Sequence, residues 1–399
     1  MAVVSAAAPQ TTTMFMKQAI LHAQELIRCR SVTPEEAGAL RYLEGELSAA
    51  GFTCHRLPFS APGTPDVDNL YARIGTGSPH ICFAGHADVV PPGDEAAWRH
   101  PPFAGEIEGG MLYGRGAVDM KGALAAELAA VLVFLSESGA GFGGSISFLI
   151  TADEEGPAIN GTRKAVEWLA ARGERPDACI LGECTSENAA GDTIKNGRRG
   201  SLSCLLKVAG VQGHAAYPEK ARNPLPALIA ALSLLKREPL DTGSEHFQAS
   251  NLEMTSIDTG NPATNIIPAA ATARFNVRFN DRHTSASLKA WIEAQVKAAL
   301  AGSGIDYALE YEPAAESFVT GAGGFVQRLS DAAEAETGRR PLLSTGGGTS
   351  DARFIKDLCP VAELGLLNAT AHKVDECVAV ADIEGLSAIY WRFLQLTFA

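Results

Sequence analysis

Short apolar runs that stop on an acid or a histidine recur along the chain and set its predicted layout. Ser145 to Ile150 is β-branched and aromatic, reads as a buried central strand, and gives way to Asp153, Glu154, Glu155 and Gly156. Ile81 to Val90 reads as another, with His86 and Asp88 near its end, two residues apart and therefore on one side of an extended backbone. The run 176–181 leads to Glu183, and the predicted strand 361–367 is followed by His372. Two more strands are expected at 53–57 and 69–74. Between them the apolar spacing becomes helical. It does so over 15–30 (Phe15, Ala19, Ile20, Ala23, Leu26, Ile27), in a second helix up to about Ala50, over 123–135 and 162–171, over 324–338, and in a last helix reaching Phe398 with Asp382 as its N-cap. Asp119, Lys121 and Gly122 fall where the helix 123–135 begins, and Glu127 inside that apolar helix marks it as a core element. Strands alternating with helices predict the α/β class, whose open sheets bind ligands at the carboxyl ends of the strands.

The pattern changes after residue 185. Asn196 to Gly200 is a turn signal, and strands are expected at 202–208, 252–257 and 272–279, with helices at 224–236 and 284–301. This points to an inserted α+β domain of about 110 residues, within the usual domain range. The expected division is 14–199 with 309–399 for the first domain, 200–308 for the insert, and 1–13 as a disordered extension. A chain of 399 residues is long for one ordinary core, which agrees with two domains.

Composition narrows the partners. Hydrophobic residues make up 46% of the chain and charged residues 20%, as in soluble globular proteins, and no stretch approaches the ~18 apolar residues of a membrane span. A net charge of −13 disfavours nucleic acid and anionic membrane, leaving a small molecule or another protein. The eight cysteines lack CxxC spacing, and Cys82 and Cys179 sit inside apolar strands. This fits reduced thiols in a cytoplasmic protein. Residues 1–13 have neither a basic start nor a long apolar core and make a poor signal peptide.

If the strands share one sheet, His86, Asp88, Asp119, Glu154, Glu155, Glu183 and His372 meet at one rim. So many carboxylates would repel one another unless cations sat among them. Two histidines with several carboxylates suit zinc or a similar divalent ion, and an aspartate can bridge two ions. Taken singly, His86 reads as a core histidine, Asp119 as a helix cap and Glu183 as a strand-end acid; their coincidence at strand ends favours a metal site. G-x-S-x-G and Walker A sequences are absent, and Gly75-Thr76-Gly77 lacks the third glycine of a G-x-G-x-x-G fingerprint.

The order His86-Ala87-Asp88, Gly114 to Gly122 (Gly-Arg-Gly-Ala-Val-Asp-Met-Lys-Gly), Asp153-Glu154-Glu155-Gly156, Gly182-Glu183 and a late His372 resembles the di-zinc aminoacylase and carboxypeptidase family. The resemblance runs from about residue 15 to the end. It implies a three-layer α/β/α catalytic domain with a mixed sheet, interrupted by a ferredoxin-like α+β dimerisation domain. It also implies two Zn2+ per subunit, with Co2+ or Mn2+ as substitutes. Asp119 would bridge them, His86 and Glu183 would complete one ion, and Glu155 and His372 the other. Asp88 would orient His86 through its other ring nitrogen, and Glu154 would be the general base. His214, by its residues alone a loop histidine, would reach across a homodimer interface to the oxyanion.

Three longer strings, 195–201, 210–218 and 347–354, are most similar to the branch of that family acting on succinylated amino acids. They imply hydrolysis of the succinyl amide of N-succinyl-LL-2,6-diaminopimelate in lysine and diaminopimelate biosynthesis, with acetylornithine deacetylation or a related aminoacylase reaction as the alternative. A substrate with three carboxylates needs local cations. Arg198, Arg199, Arg278 and Arg353 are the candidates, each equally readable as a surface ion-pair partner, with the backbone N–H groups from Gly346 to Thr349, those of Gly347 and Thr349 among them, as an anion nest. Tyr217 and Asn265 are polar contacts by resemblance.

Overall fold

The computed structural model describes residues 10–138 and 141–399, which divide into two compact units. The first is built on an eight-stranded sheet in the order Thr53–Arg56, Leu70–Gly75, Ser145–Thr151, His80–His86, Ala178–Leu181, Val361–Glu363, Thr193–Lys195 and Leu342–Ser344. Ser145–Thr151, His80–His86, Ala178–Leu181 and Val361–Glu363 run parallel, while the edge pairs with Leu70–Gly75 are antiparallel, so the sheet is mixed. The central strands are buried along their whole length, which is why they read as continuous apolar runs and not as alternations.

Helices cover both faces. Phe83 and Phe148 point together toward Tyr390 of the helix Val380–Phe398, whereas Tyr71, on the opposite face, meets Trp168 of Thr162–Ala171. The helix Lys121–Ser138 lies against both Gln10–Arg28 and Val380–Phe398 and is apolar all round, as a helix enclosed by neighbours must be. Its Glu127 is fully buried, neither carboxyl oxygen has a hydrogen-bond partner among the described residues, and burial pushes its pKa well above the ordinary carboxylate value.

The structure shifts some predicted boundaries. Of the expected extension 1–13, residues 1–9 lie outside the described residues, and 10–13 belong to the helix Gln10–Arg28, a run that no proline or glycine interrupts. Asp382 is not an N-cap: Val380–Phe398 starts earlier, and Asp382 lies in its first turn, where a carboxylate still complements the helix dipole. Among the described residues no helix is long and apolar enough to cross a membrane.

The second unit comprises Gly197–Val319 with Thr345–Thr349, wider than the expected 200–308. The strand Gly197–Arg198 pairs with Phe318–Val319, and Ser201 bridges Ala315, so both flanks of the insert fold with it. Its antiparallel sheet runs Asn251–Asp258, Ala270–Phe279, Gly200–Ala209, Asp306–Tyr311. Gly200–Ala209 alternates in burial, and Leu202, Leu206, Phe275 and Val277 form one core with Leu228, Leu232, Leu288 and Ile292 of the helices Leu225–Leu235 and Ser285–Leu300. Thr284 and Ser287 close a capping box at the start of the second helix.

Asp241 ties the loop after the first of these helices to the end of the strand Ala270–Phe279. It accepts hydrogen bonds from the amides of Gly243 (2.7 Å) and Ser250 (3.2 Å) and from Asn280 Nδ2 (2.7 Å), and pairs with His283 Nε2 at 3.0 Å. Burial alone would raise its pKa, but hydrogen bonds from Ser250, Gly243 and Asn280 outweigh that and hold it at about 2. A depressed carboxylate stabilises the fold above its unfolded pKa, and that contribution fades as pH falls through the folded value. Asp241→Asn is therefore expected to cost this unit about 2 kcal/mol at neutral pH and to remove the part of its acid sensitivity lying between about pH 4 and pH 2. Fluorescence of Trp291, the unit's single tryptophan, during acid titration reads the result.

Candidate metal centre

The strand ends carry the chemistry, and two glycines let a third segment approach them. A Cβ on Gly85 would lie 2.5 Å from Met120 Cε and 2.7 Å from Leu124 Cδ2, and one on Gly182 would lie 2.8 Å from both Met120 Cε and Glu127 Oε1. The start of Lys121–Ser138 thus sits directly on the residues preceding His86 and Glu183, which brings Asp119 to both. His86 Nε2 lies 3.3 Å from Asp119 Oδ1 and 3.9 Å from Glu183 Oε1. On the other side, His372 Nε2 lies 3.3 Å from Asp119 Oδ2 and 2.9 Å from Glu155 Oε1. Asp119 therefore faces one histidine with each carboxylate oxygen. His86 is 1% exposed at its side chain and His372 50%, so one pair is sealed and the other opens to solvent.

The donor chemistry fits cations. His86 Nδ1 donates to the carbonyl of Asp88 at 2.9 Å, which leaves the Nε2 lone pair facing the carboxylates of Asp119 and Glu183. A lone pair against carboxylates is repulsive unless a proton or a metal ion stands between them. Without a metal, protons take that place. Burial would lower the His86 pKa, yet Asp119, Glu183 and Asp88 hold it well above its ordinary value, and hydrogen bonds to Asp119 and Glu155 raise His372 to about 10. Burial and then the charges of Asp119 and Glu154 push Glu183 up, while Glu154 is raised by burial and by Asp351 and Glu155. Divalent ions would displace those protons, the usual linkage at a metal site. Donor atoms of three groups lie within 4.8 Å of one another: His86, Asp119 and Glu155; His86, Glu154 and Glu183; and Asp119, Glu183 and Cys184.

Asp88 bonds the other ring nitrogen of His86 through its carbonyl (2.9 Å), with its carboxylate Oδ1 3.7 Å from the same nitrogen, and the carboxylate also accepts from the amides of Glu154 (3.3 Å) and Glu155 (3.1 Å). It holds the backbone of the acidic pair, because the strand His80–His86 runs parallel to Ser145–Thr151 and the two ends emerge side by side. Asp153 holds the same turn from within, accepting from the amides of Ala158 (3.2 Å), Ile159 (2.9 Å) and Asn160 (2.9 Å). The sequence showed three consecutive acids but no sign of which would face inward. Cys184, Arg115 and Glu376 were also missed. Cys184 follows Glu183 directly, and that adjacency was the one available signal.

Arg353 lies in the first unit, in the short helix Ala352–Ile355, with its Nη2 3.9 Å from Asp351 Oδ1. The other expected substrate contacts are in the second unit. Arg198 Nη1 donates to the carbonyl of Gly348 (3.1 Å), and a Cβ on Gly347, whose φ is +101°, would lie 2.8 Å from that nitrogen. The carbonyls of Gly346 and Gly348 thus both face Arg198. Arg199 donates to Asn251 Oδ1 at 2.9 Å, and burial followed by the charge of Arg278 lowers its pKa. His214, on the short strand Gly213–His214, stacks edge-on with Tyr217 at 5.6 Å, and the carbonyl of Asn265 accepts from the amide of Ala215, so these three share one corner.

Comparison with known proteins bears on this arrangement. Residues 82–396 match the sequence model described as peptidase family M20/M25/M40. The chain is 59% identical to a succinyl-diaminopimelate desuccinylase of Methylorubrum extorquens (strain PA1) over 377 residues, 94% of this chain and 98% of that protein. It is also 59% identical to one from Rhodopseudomonas palustris (strain BisB18) over 389 residues, 96% of this chain and 98% of the relative. Among solved structures it resembles a tripeptidase from Staphylococcus aureus (TM-score 0.77, 19% identity, 96% and 98% of the two chains). It also resembles the YXEP protein of Bacillus subtilis, described as a dinuclear metal binding peptidase from the M20 family (TM-score 0.73, 16% identity, 97% and 99%).

Proposed function

This chain belongs to peptidase family M20/M25/M40, and on that premise we propose that it hydrolyses the succinyl amide of N-succinyl-LL-2,6-diaminopimelate, releasing succinate and LL-2,6-diaminopimelate. The observation that carries the reaction class is the placement of Asp119, with one carboxylate oxygen toward His86 and the other toward His372. Relatives named for this reaction at 59% identity support the substrate.

Two Zn2+ would be held by Asp119 between them, by His86 and Glu183 on one side, and by Glu155 and His372 on the other; Co2+ and Mn2+ suit the same donors. Such ions, when bound, polarise the scissile carbonyl and acidify the attacking water. The chain's own groups do the rest. Glu154, raised by its buried, acid-rich surroundings, accepts a proton from the water and returns it to the departing amine as the C–N bond breaks. Asp88 and Asp153 keep its backbone in place. Arg198, Arg199, Arg278 and Arg353 meet the substrate carboxylates, with Gly347, Thr349, Tyr217 and Asn265 as further contacts.

His214 donates to the developing oxyanion from the second subunit of a homodimer. Association through the second unit is supported by the edge strand Asn251–Asp258, where Ile257 is 59% exposed, and by Ile229, 61% exposed on Leu225–Leu235. Eight free cysteines support a reducing, cytoplasmic setting, and the charge of −13 supports a small-molecule substrate over nucleic acid or membrane.

The test compares succinate release from N-succinyl-LL-2,6-diaminopimelate with acetate release from matched N-acetyl substrates, including N-acetylornithine. We expect kcat/KM to favour the succinyl substrate by roughly 100-fold or more, since an arginine left without its carboxylate is costly. Faster acetyl cleavage would replace this reading with that of a deacetylase.

A further inference from the structure

Arg115 and Glu376 form an ion pair at 2.6 Å whose side chains are 3% and 0% exposed. Pairs buried this deeply gain little stability over apolar residues of the same shape. This one is also incompletely satisfied, because Arg115 Nε is buried without a hydrogen-bond partner among the described residues. Its remaining bonds indicate another role. Glu376 Oε1 accepts from the amide of Val118 at 2.9 Å and from that of Asp119 at 3.2 Å. Arg115 Nη1 donates to the carbonyl of Lys373 at 3.2 Å, and Nη2 to that of His372 at 3.4 Å. The amide of Gly114 closes the frame on the carbonyl of Glu376 at 2.9 Å.

One ion pair thus binds the backbone of Asp119 and the backbone of His372, which lie on distant stretches of chain. The His372 loop needs such support: His372 and Asp375 hold left-handed φ values of +62° and +57°, which non-glycine residues adopt only when held there by surrounding structure. Arg115 is itself seated, its guanidinium 5.1 Å over the Trp98 ring.

We propose that the Arg115–Glu376 pair is a positioning device that sets the separation of Asp119 and His372, and through it the affinity of the site for the metal those two side chains share. This rests on the reading of Asp119 and His372 as ligands. The pair touches no ligand atom; it acts through the two backbones.

The experiment titrates metal-free protein with Co2+ alone and follows the visible absorption of the bound ion. Thermal unfolding in excess chelator is measured in parallel. Removing one charge leaves its partner buried and uncompensated, so the main variant is the double Arg115→Met/Glu376→Met, with Glu376→Gln beside it. The double variant is expected to bind Co2+ roughly 10- to 100-fold more weakly, the range typical of lost outer-shell support. Its metal-free unfolding midpoint should stay within about 3 °C of wild type. Glu376→Gln keeps an oxygen for the amides of Val118 and Asp119 and should recover part of the affinity. Co2+ affinity in the double variant equal to wild type overturns the proposal, and so does a collapse of metal-free stability in both variants, which would make the pair a fold element only. A wild-type protein that binds no Co2+, or a His372→Ala variant that binds it unchanged, fails the underlying ligand assignment and takes this proposal with it.

Discussion

Glu154→Ala is expected to keep its full complement of divalent metal and to lose turnover by about 10²- to 10⁴-fold, the usual worth of a placed general base. The separation of the two effects follows from the geometry. Glu155, the next residue, faces His372 at 2.9 Å, while the half-buried Glu154 has its pKa raised by desolvation and by the charges of Asp351 and Glu155, opposed by His86 and Arg353. An acid so placed is easier to protonate than an exposed one, which suits a group that must receive a proton and then give it up. The loss should fall on kcat with KM little changed, because Glu154 moves a proton and does not anchor the substrate. Metal analysis and steady-state kinetics on one preparation decide it. Undiminished turnover would remove Glu154 from the mechanism, and loss of metal would move it among the ligands.

The second large effect is expected at Asp119, whose two oxygens face two histidines. Asp119→Ala should lower the affinity for both ions and bring activity to background, whereas loss of His372 alone should chiefly weaken the solvent-open position. Chelation should have the same consequence for activity as Asp119→Ala, and a measurable one for stability. A ligand present at about 1,000 times its Kd stabilises the folded state by about 4 kcal/mol, so chelator should lower the unfolding midpoint and added Zn2+, Co2+ or Mn2+ should restore it. Activity that survives exhaustive chelation would refute the metal dependence. An unfolding midpoint that ignores chelator would mean that any bound ion adds no stability to the fold.

The two predictions rest on unequal kinds of sequence information. Glu154 and Glu155 were separable from the chain only by resemblance, since neighbouring acids on a loop carry no periodicity that says which turns inward. In the structure the carboxylate of Asp88 takes both amides and fixes the turn, and Glu155 Oε1 lies 2.9 Å from His372 Nε2. Asp88 was expected only to orient His86 through its other ring nitrogen; its carbonyl bonds that nitrogen, and the register of two parallel strands also brings its carboxylate to the acidic turn. Asp119 was more legible, because it stands just before the helix Lys121–Ser138, and Gly85 and Gly182 stand just before His86 and Glu183. Glycines flanking chemical residues at strand ends hint at close packing, but what packs there was not readable. Arg115 and Glu376 were illegible altogether, as their pairing joins two segments far apart in the chain.

The chain by itself determined which segments become buried strands and core helices, because apolar spacing and length are local and the burial of those runs follows from them. It determined too that acids and histidines gather at strand ends, since each run carries its own terminal residue. Only the tertiary structure decided which atoms of those residues meet. The strand order places Val361–Glu363 beside Ala178–Leu181, the missing Cβ atoms of two glycines admit Met120 and Leu124, and a buried ion pair holds a left-handed histidine over an aspartate. Each of those is a contact between distant parts of the chain, set by the packing of the whole sheet and its helices, and no local pattern encodes it.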